Sequence, residues 1–222
     1  MTASSHPSYY PICLALTGKP CLVVGGGRVA QQKAQTLLQY GATVTVVAPT
    51  LTPVLRRWAL AHRVRWRKRR FRPTDVARQR LVYGATDDPH TQAAICRAAE
   101  RRRIPVNIVD APARCTFIAP AQLKRGALTI AVTTGGRSPI LAKRVRQEIE
   151  QVIGPEYGQL LRILERARPV IRRAVPTVAG RKRIFERLIR SGLLDQLRRG
   201  RQRQAQRTAM RLLQEYTRHS MR

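Results

Sequence analysis

Apolar positions in the first half of the chain switch between the period of a strand and that of a helix. Pro20–Val24 is a short apolar run that ends in Gly25-Gly26-Gly27, and its length suits a buried strand. Arg28–Tyr40 follows with Val29, Ala30, Lys33, Ala34, Leu37 and Leu38 at helical spacing, and Gly41 stands where a helix stops. Thr43–Val47 is β-branched throughout and predicts a second buried strand. Pro53–His62 predicts a helix, Val64–Phe71 contains a third strand, and Leu81–Ala85 is a fourth. Pro89–Arg102 predicts another helix and Pro105–Val109 another strand. Alternation of this kind builds a largely parallel sheet with right-handed crossovers and helices on both faces.

The pattern changes after Asp110. Phe117–Ala119 and Ala127–Val132 are expected as strands about a turn at Lys124–Gly126. Ser138 is the expected N-cap of a helix reaching Ile153, with Pro139 in its first turn. The remainder predicts amphipathic helices. Leu160, Leu161 and Leu164 mark one stripe, and Ile184, Leu188 and Ile189 another. Leu193, Leu194 and Leu197 continue beyond a break at Ser191-Gly192, and Leu212, Leu213 and Tyr216 mark a last short helix. Such faces need a partner surface, in this chain or in a second subunit. The expected organisation is an α/β Rossmann-type domain over 1–113, a small α+β segment over 114–153 and a basic helical tail over 154–222. No internal repeat is visible.

Composition narrows the class. A length of 222 residues with 43% apolar content fits one large or two smaller globular domains. No apolar run approaches the roughly 18 residues of a membrane span. Met1–Tyr10 is polar and does not read as a secretory signal, so a cytoplasmic location is expected. Cys13, Cys21, Cys96 and Cys115 form no C-x-x-C pair and are expected as buried free thiols. The histidines are scattered, and no structural or tightly held metal is expected.

Charge is the unusual feature: 43 Lys and Arg against 12 acids give a formal net charge of +31. No acid precedes Asp75, and Arg63–Arg72 reads RVRWRKRRFR. This balance attracts polyanions, whether nucleic acid, an anionic membrane surface or a small polycarboxylate, and does not choose among them. The arginine run is expected as a solvated strand edge; the other reading stacks Trp66 and Phe71 on nucleic acid bases.

Gly25-Gly26-Gly27-Arg28-Val29-Ala30 fits G-x-G-x-x-A between a strand and a helix. Gly25 permits the tight turn, Gly27 lets the backbone approach a pyrophosphate, and Ala30 keeps helix and strand close. The helix N-terminus then offers free N–H groups to phosphate. Dinucleotide binding is the expectation. The second strand ends in Val47-Ala48-Pro49-Thr50, without the acid that usually grips the adenine ribose, so NAD and NADP are not separated there. Asp87 and Asp88 follow the Leu81 strand, and a helix-capping role competes with a site role for Asp88. Asp110 ends an apolar strand with no obvious helix behind it, which makes it the candidate for proton transfer.

Taken together, these pieces resemble the precorrin-2 dehydrogenase/sirohydrochlorin ferrochelatase family, the N-terminal module of siroheme synthases. The resemblance rests on Tyr10-Pro11-Ile12, Cys21 through Ala30, Ala85-Thr86-Asp87-Asp88 and Asn107-Ile108-Val109-Asp110-Ala111-Pro112. It continues through Phe117-Ile118-Ala119-Pro120, Ala131 through Pro139 (AVTTGGRSP) and Ser191-Gly192-Leu193-Leu194. It implies NAD-dependent oxidation of precorrin-2 to sirohydrochlorin and, in many members, insertion of ferrous iron. It also implies a Rossmann domain, a dimerisation domain and a helical tail in a homodimer. The family's essential acid falls on Asp110, and its cofactor contacts fall near Arg28, Val29, Pro49, Thr50, Thr86 and Asp87, beside Gly25 and Gly27 of the glycine loop. Thr133, Thr134, Gly135, Gly136 and Ser138 would face the tetrapyrrole, with Thr134 where many relatives carry serine. The rival expectation is a catalytically silent Rossmann-fold protein whose basic surface grips nucleic acid or a partner. The Asp110 motif and the hydroxyl-rich loop favour the enzyme, and nucleic acid is not expected as its partner.

Overall fold

A computed structural model describes residues 8–219, so most of the polar Met1–Tyr10 segment lies outside the described residues. The chain forms two compact units, Met1–Ala119 and Pro120–Arg222. The three-part division drawn from the sequence is finer than this.

The first unit runs β1 (Pro20–Val24), α1 (Arg28–Gln39), β2 (Thr43–Val47), α2 (Pro53–Leu60), β3 (Arg65–Arg67), β4 (Leu81–Gly84), α3 (Pro89–Glu100) and β5 (Val106–Ile108). The strands pair in the order β3-β2-β1-β4-β5, all parallel. Because side chains alternate across a strand, β1 serves two cores. Cys21 and Val23 pack with Ala30, Ala34 and Leu37 of α1, while Leu22 and Val24 pack with Ile95, Ala98 and Ala99 of α3. Burial on both faces explains why β1 reads as an apolar run rather than an alternating one, and why Thr45 of β2 is buried along with its valines.

The arginine run is partly an edge and partly a clamp. β3 is the edge strand, but the buried Asp75 carboxylate accepts bonds from the Arg67 and Arg69 guanidiniums and from the Arg72 N–H. Burial pushes the Asp75 carboxyl upward, and the donors from Arg69, Arg72 and Arg67 outweigh it, leaving its pKa below the ordinary value. The aromatic side chains in the run have inward tasks. The Trp66 indole donates to the Ala48 carbonyl at 2.9 Å, and Phe71 packs against the core beneath α3.

The second unit begins with the antiparallel hairpin β6 (Ala121–Arg125) and β7 (Leu128–Val132). Helices α4 (Pro139–Val152), α5 (Pro155–Ala174), α6 (Val178–Arg190), α7 (Leu193–Arg198) and α8 (Gln202–His219) follow. Its core joins Leu160, Ile163, Ala167 and Ile171 to Ile184, Leu188, Leu193, Leu197, Ala205, Ala209 and Leu213.

Three expectations need correction. Phe117–Ala119 is not a strand. The neighbouring Thr116 hydroxyl bonds Val106 and the Asn107 amide donates to the Phe117 carbonyl, which holds this stretch against β5 in the first unit. The last helix is long, 18 residues rather than a short piece, because its buried stripe is built largely of Ala205 and Ala209. Cys13 is exposed and Cys115 only half-buried, whereas Cys21 and Cys96 are buried as expected; Cys13 precedes the first strand and has no sheet face to enter.

Candidate active site

All strands of the sheet are parallel, so the segments following β1, β2, β4 and β5 gather at one edge. The chain reverses its direction of strand addition between β1 and β4, and in open sheets of this type ligands bind in the crevice at that point.

The glycine loop is clamped between two of its neighbours. The Gly25 N–H donates to the Val47 carbonyl at 2.9 Å, and the Thr52 N–H donates to the Gly26 carbonyl at 2.9 Å. A Cβ on Gly25 would meet the Ala85 carbonyl oxygen at 2.0 Å, and Gly25 also has φ +124°. Around Gly27 an added Cβ meets nothing within 4 Å. Helix α1 starts from Gly27 with no side-chain cap and no acid in its first turn, so its leading N–H groups and positive dipole end are open to an anion. A dinucleotide pyrophosphate therefore fits: the loop is closed by backbone on its inner side and open on its outer side. Arg28 and Val29 stand exposed beside it, as do Pro49 and Thr50 beyond β2.

The paired acids after β4 divide their tasks. Asp88 caps α3, accepting from the His90 and Thr91 N–H groups and from the Thr91 hydroxyl. The Thr91 bond is the largest of the influences that hold its carboxyl below the ordinary range. Asp87 is exposed and has no hydrogen bond or ion pair among the described residues. Thr86 is half-buried, with its carbonyl taking the Gln92 amide at 2.8 Å.

Asp110 sits two residues beyond β5 on the same edge, exposed, with φ +59°. Left-handed backbone is uncommon outside glycine, and Asp is among the residues that tolerate it. The turn is tied to β4 by the Val109 N–H bond to the Gly84 carbonyl at 2.9 Å. Two neighbours escaped the sequence reading. Lys33 was counted into the α1 stripe, but it is half-buried with its ammonium 5.3 Å from the Tyr83 ring centroid. Burial lowers its pKa, and the nearby Asp110 and Cys115 oppose that shift. Burial pushes the Tyr83 hydroxyl up to about 12, so that side chain stays neutral. A lysine inside an apolar helical stripe was the available signal. The second neighbour, Cys115, contacts the backbone of the Asp110 turn, and nothing local in the sequence marked it.

Thr133, Thr134, Gly135, Gly136 and Ser138 belong to the second unit, in the loop from β7 to α4. The Thr134 hydroxyl accepts from the Ser138 N–H at 2.9 Å and donates to the Ser138 carbonyl at 3.0 Å. Ser138 caps α4 through the Leu141 N–H at 3.2 Å, as its position predicted. The Thr133 hydroxyl accepts from the Gly135 N–H at 3.1 Å. Much of the hydroxyl chemistry of the loop is thus spent on its own shape. Among the described residues no group of three His, Cys, Asp or Glu side chains could hold a metal ion. No helix among them is long and apolar enough to cross a membrane.

Three family models match in succession: NAD(P)-binding over residues 12–121, the sirohaem biosynthesis protein central region over 125–151, and the sirohaem synthase dimerisation region over 156–213. The chain belongs to the sirohaem synthase family. The dimerisation-region model covers the helices after α4. The siroheme synthase of Methylococcus capsulatus is 40% identical over 202 residues, covering 91% of this chain and 43% of that protein. That of Methylobacillus flagellatus is 39% identical over 200 residues, covering 90% and 43%. The chain therefore spans less than half the length of these relatives. A solved structure described as SirC, precorrin-2 dehydrogenase, superposes with a TM-score of 0.74 at 26% identity, covering 91% of this chain and 100% of that one.

Proposed function

We propose that this chain oxidises precorrin-2 to sirohydrochlorin with NAD and that Asp110 accepts the proton. The reaction removes two hydrogens, one as hydride and one as proton. When bound, the nicotinamide supplies the hydride acceptor. The N-terminus of α1 holds the pyrophosphate through the Gly27–Val29 backbone, with Gly25 permitting its approach. Pro49, Thr50, Thr86 and Asp87 flank the rest of the cofactor on the same sheet edge. The observation that carries this reading is the placement of Asp110: its carboxyl is exposed on the edge that bears the open glycine loop. Complete coverage of the SirC precorrin-2 dehydrogenase chain supports the same activity.

Basic side chains suit a substrate rich in carboxylates. Thr133, Thr134, Gly135, Gly136 and Ser138 line its binding loop in this proposal. Ferrous iron is the second substrate: after Asp110 has returned its first proton to solvent, the metal enters sirohydrochlorin as two pyrrole protons leave, one to Asp110 and the other to water. A homodimer formed through 156–213 completes the proposal. Val170, Val178, Ile189 and Met210 in that region are exposed apolar side chains available to such an interface.

The test is anaerobic turnover of precorrin-2 with NAD, followed by absorbance, for the wild type and Asp110→Asn. Wild type forms sirohydrochlorin, and the variant loses about 100-fold or more in kcat. Ferrous iron added to the same cuvette gives the siroheme spectrum. A folded wild type that turns over with neither NAD nor NADP sinks the dehydrogenase reading in favour of a basic binding protein.

A further inference from the structure

The turn that carries Asp110 is held by one side chain. Cys115 Sγ accepts from the Ile108 N–H at 3.2 Å and lies 3.2 Å from the Ile108 carbonyl oxygen and 3.4 Å from that of Ala111. Its S–H donates to one of those two carbonyls at a time. The sulfur thus bridges the residues on either side of Val109-Asp110. Among the described residues the turn's backbone bonds are from the Val109 N–H to the Gly84 carbonyl at 2.9 Å, from the Arg114 N–H to the Ala111 carbonyl at 2.9 Å, and, across the turn, from the Ala111 N–H to the Ile108 carbonyl, stretched to 3.3 Å; the Asp110 backbone itself makes none of them. Without the thiol, the span across Asp110 keeps only that stretched bond, and the left-handed Asp110 backbone is freer to relax toward the extended region.

The sulfur is itself rigidly mounted. The Cys115 N–H bonds the Pro112 carbonyl at 3.0 Å, and the Thr116 N–H bonds the Val106 carbonyl at 2.8 Å. The Val106 N–H bonds the Thr116 hydroxyl at 2.8 Å, and Asn107 holds the Phe117 carbonyl at 3.0 Å. The 115–117 stretch is therefore stapled along β5, and the thiol reaches across from it to the end of that same strand. Burial pushes the Cys115 thiol upward in pKa, which keeps the proton on sulfur that donation to a carbonyl requires.

We infer that Cys115 is a positioning residue for Asp110: its thiol latches the Ile108–Ala111 turn and holds the Asp110 carboxylate at the sheet edge. This rests on the assignment of Asp110 as proton acceptor. Sulfur suits the task because its longer contacts span the turn. A serine hydroxyl offers the same donor and acceptor with a shorter reach, and alanine offers neither.

The test compares wild type, Cys115→Ala and Cys115→Ser by precorrin-2 turnover and by amide hydrogen exchange over residues 109–111. In the alanine variant kcat falls about tenfold while the KM for NAD is unchanged, since the glycine loop is not touched. Exchange over the turn accelerates in parallel, and serine restores part of both. Unchanged exchange in Cys115→Ala overturns the latch whatever the activity does. Faster exchange with unaltered kcat overturns the positioning role. A wild type without turnover defeats the dehydrogenase reading instead, and exchange alone then decides whether the thiol holds the turn.

Discussion

Two glycine-rich loops, Gly25–Gly27 in the first unit and Gly135–Gly136 in the second, read almost alike in the sequence and are glycine for different reasons. At Gly26 an added Cβ would lie 1.8 Å from the Thr50 carbonyl oxygen, with ordinary φ. At Gly27 it would meet nothing within 4 Å, again with ordinary φ. At Gly136 it would also meet nothing within 4 Å, but φ is +81°. One position excludes a side chain because another backbone already occupies the space. The next leaves space that the protein does not use, at the open end of a helix. The third needs only the dihedral angle. A glycine motif therefore mixes packing, ligand access and backbone conformation, and single substitutions separate the three.

The largest effect belongs to Gly26→Ala. Backbone cannot yield as a flexible side chain does, so the loop or the Thr50 segment must move. Overpacking of this kind costs about 3 kcal/mol, seen as a lower midpoint in denaturant unfolding with the slope unchanged. A variant as stable as wild type would show that the two loops are not in contact, and the comparison would lose its first term.

Gly27→Ala sharpens the contrast. The backbone angles suit alanine and the space is empty, so stability changes by less than about 1 kcal/mol. The methyl group enters the volume in front of the α1 N-terminus, and NAD affinity measured by fluorescence titration falls about tenfold, or about 1.4 kcal/mol. If affinity is retained, the pyrophosphate does not approach at Gly27. The glycine would then be explained by helix capping alone.

This separation also marks what could be read from the sequence. β1, the glycine loop and α1 were legible because strand and helix periods are local, and Asp88 was legible as a cap because it directly precedes Pro89 at a helix start. Asp75 was not, since its task depends on burial and on Arg67, Arg69 and Arg72 folding back onto it. Lys33 and Cys115 were hidden for the same reason: each acquires its meaning from residues on other segments. The stretch Phe117–Ala119 misled because an apolar residue anchoring a loop has the same hydrophobicity as one in a strand, and only the bonds of Thr116 and Phe117 to β5 decide it. The length of α8 was missed because alanines at Ala205 and Ala209 bury well yet barely register as an apolar stripe.

The smallest effect, and the cleanest, is expected at Gly136. Alanine there meets no neighbouring atom, so the whole penalty is the left-handed backbone, about 1 kcal/mol. Asparagine tolerates that conformation better than alanine does, so Gly136→Asn should be the less destabilised of the two by thermal unfolding. The order decides the argument, because the two side chains differ in size in the opposite sense. If asparagine is the worse, the space around the loop is occupied in the working protein, and Gly136 joins Gly27 as a position kept bare for something that binds. If alanine is the worse, as the dihedral angle requires, the loop is glycine for its own shape, in keeping with the Thr133 hydroxyl that bonds its backbone and the Ser138 hydroxyl that caps α4.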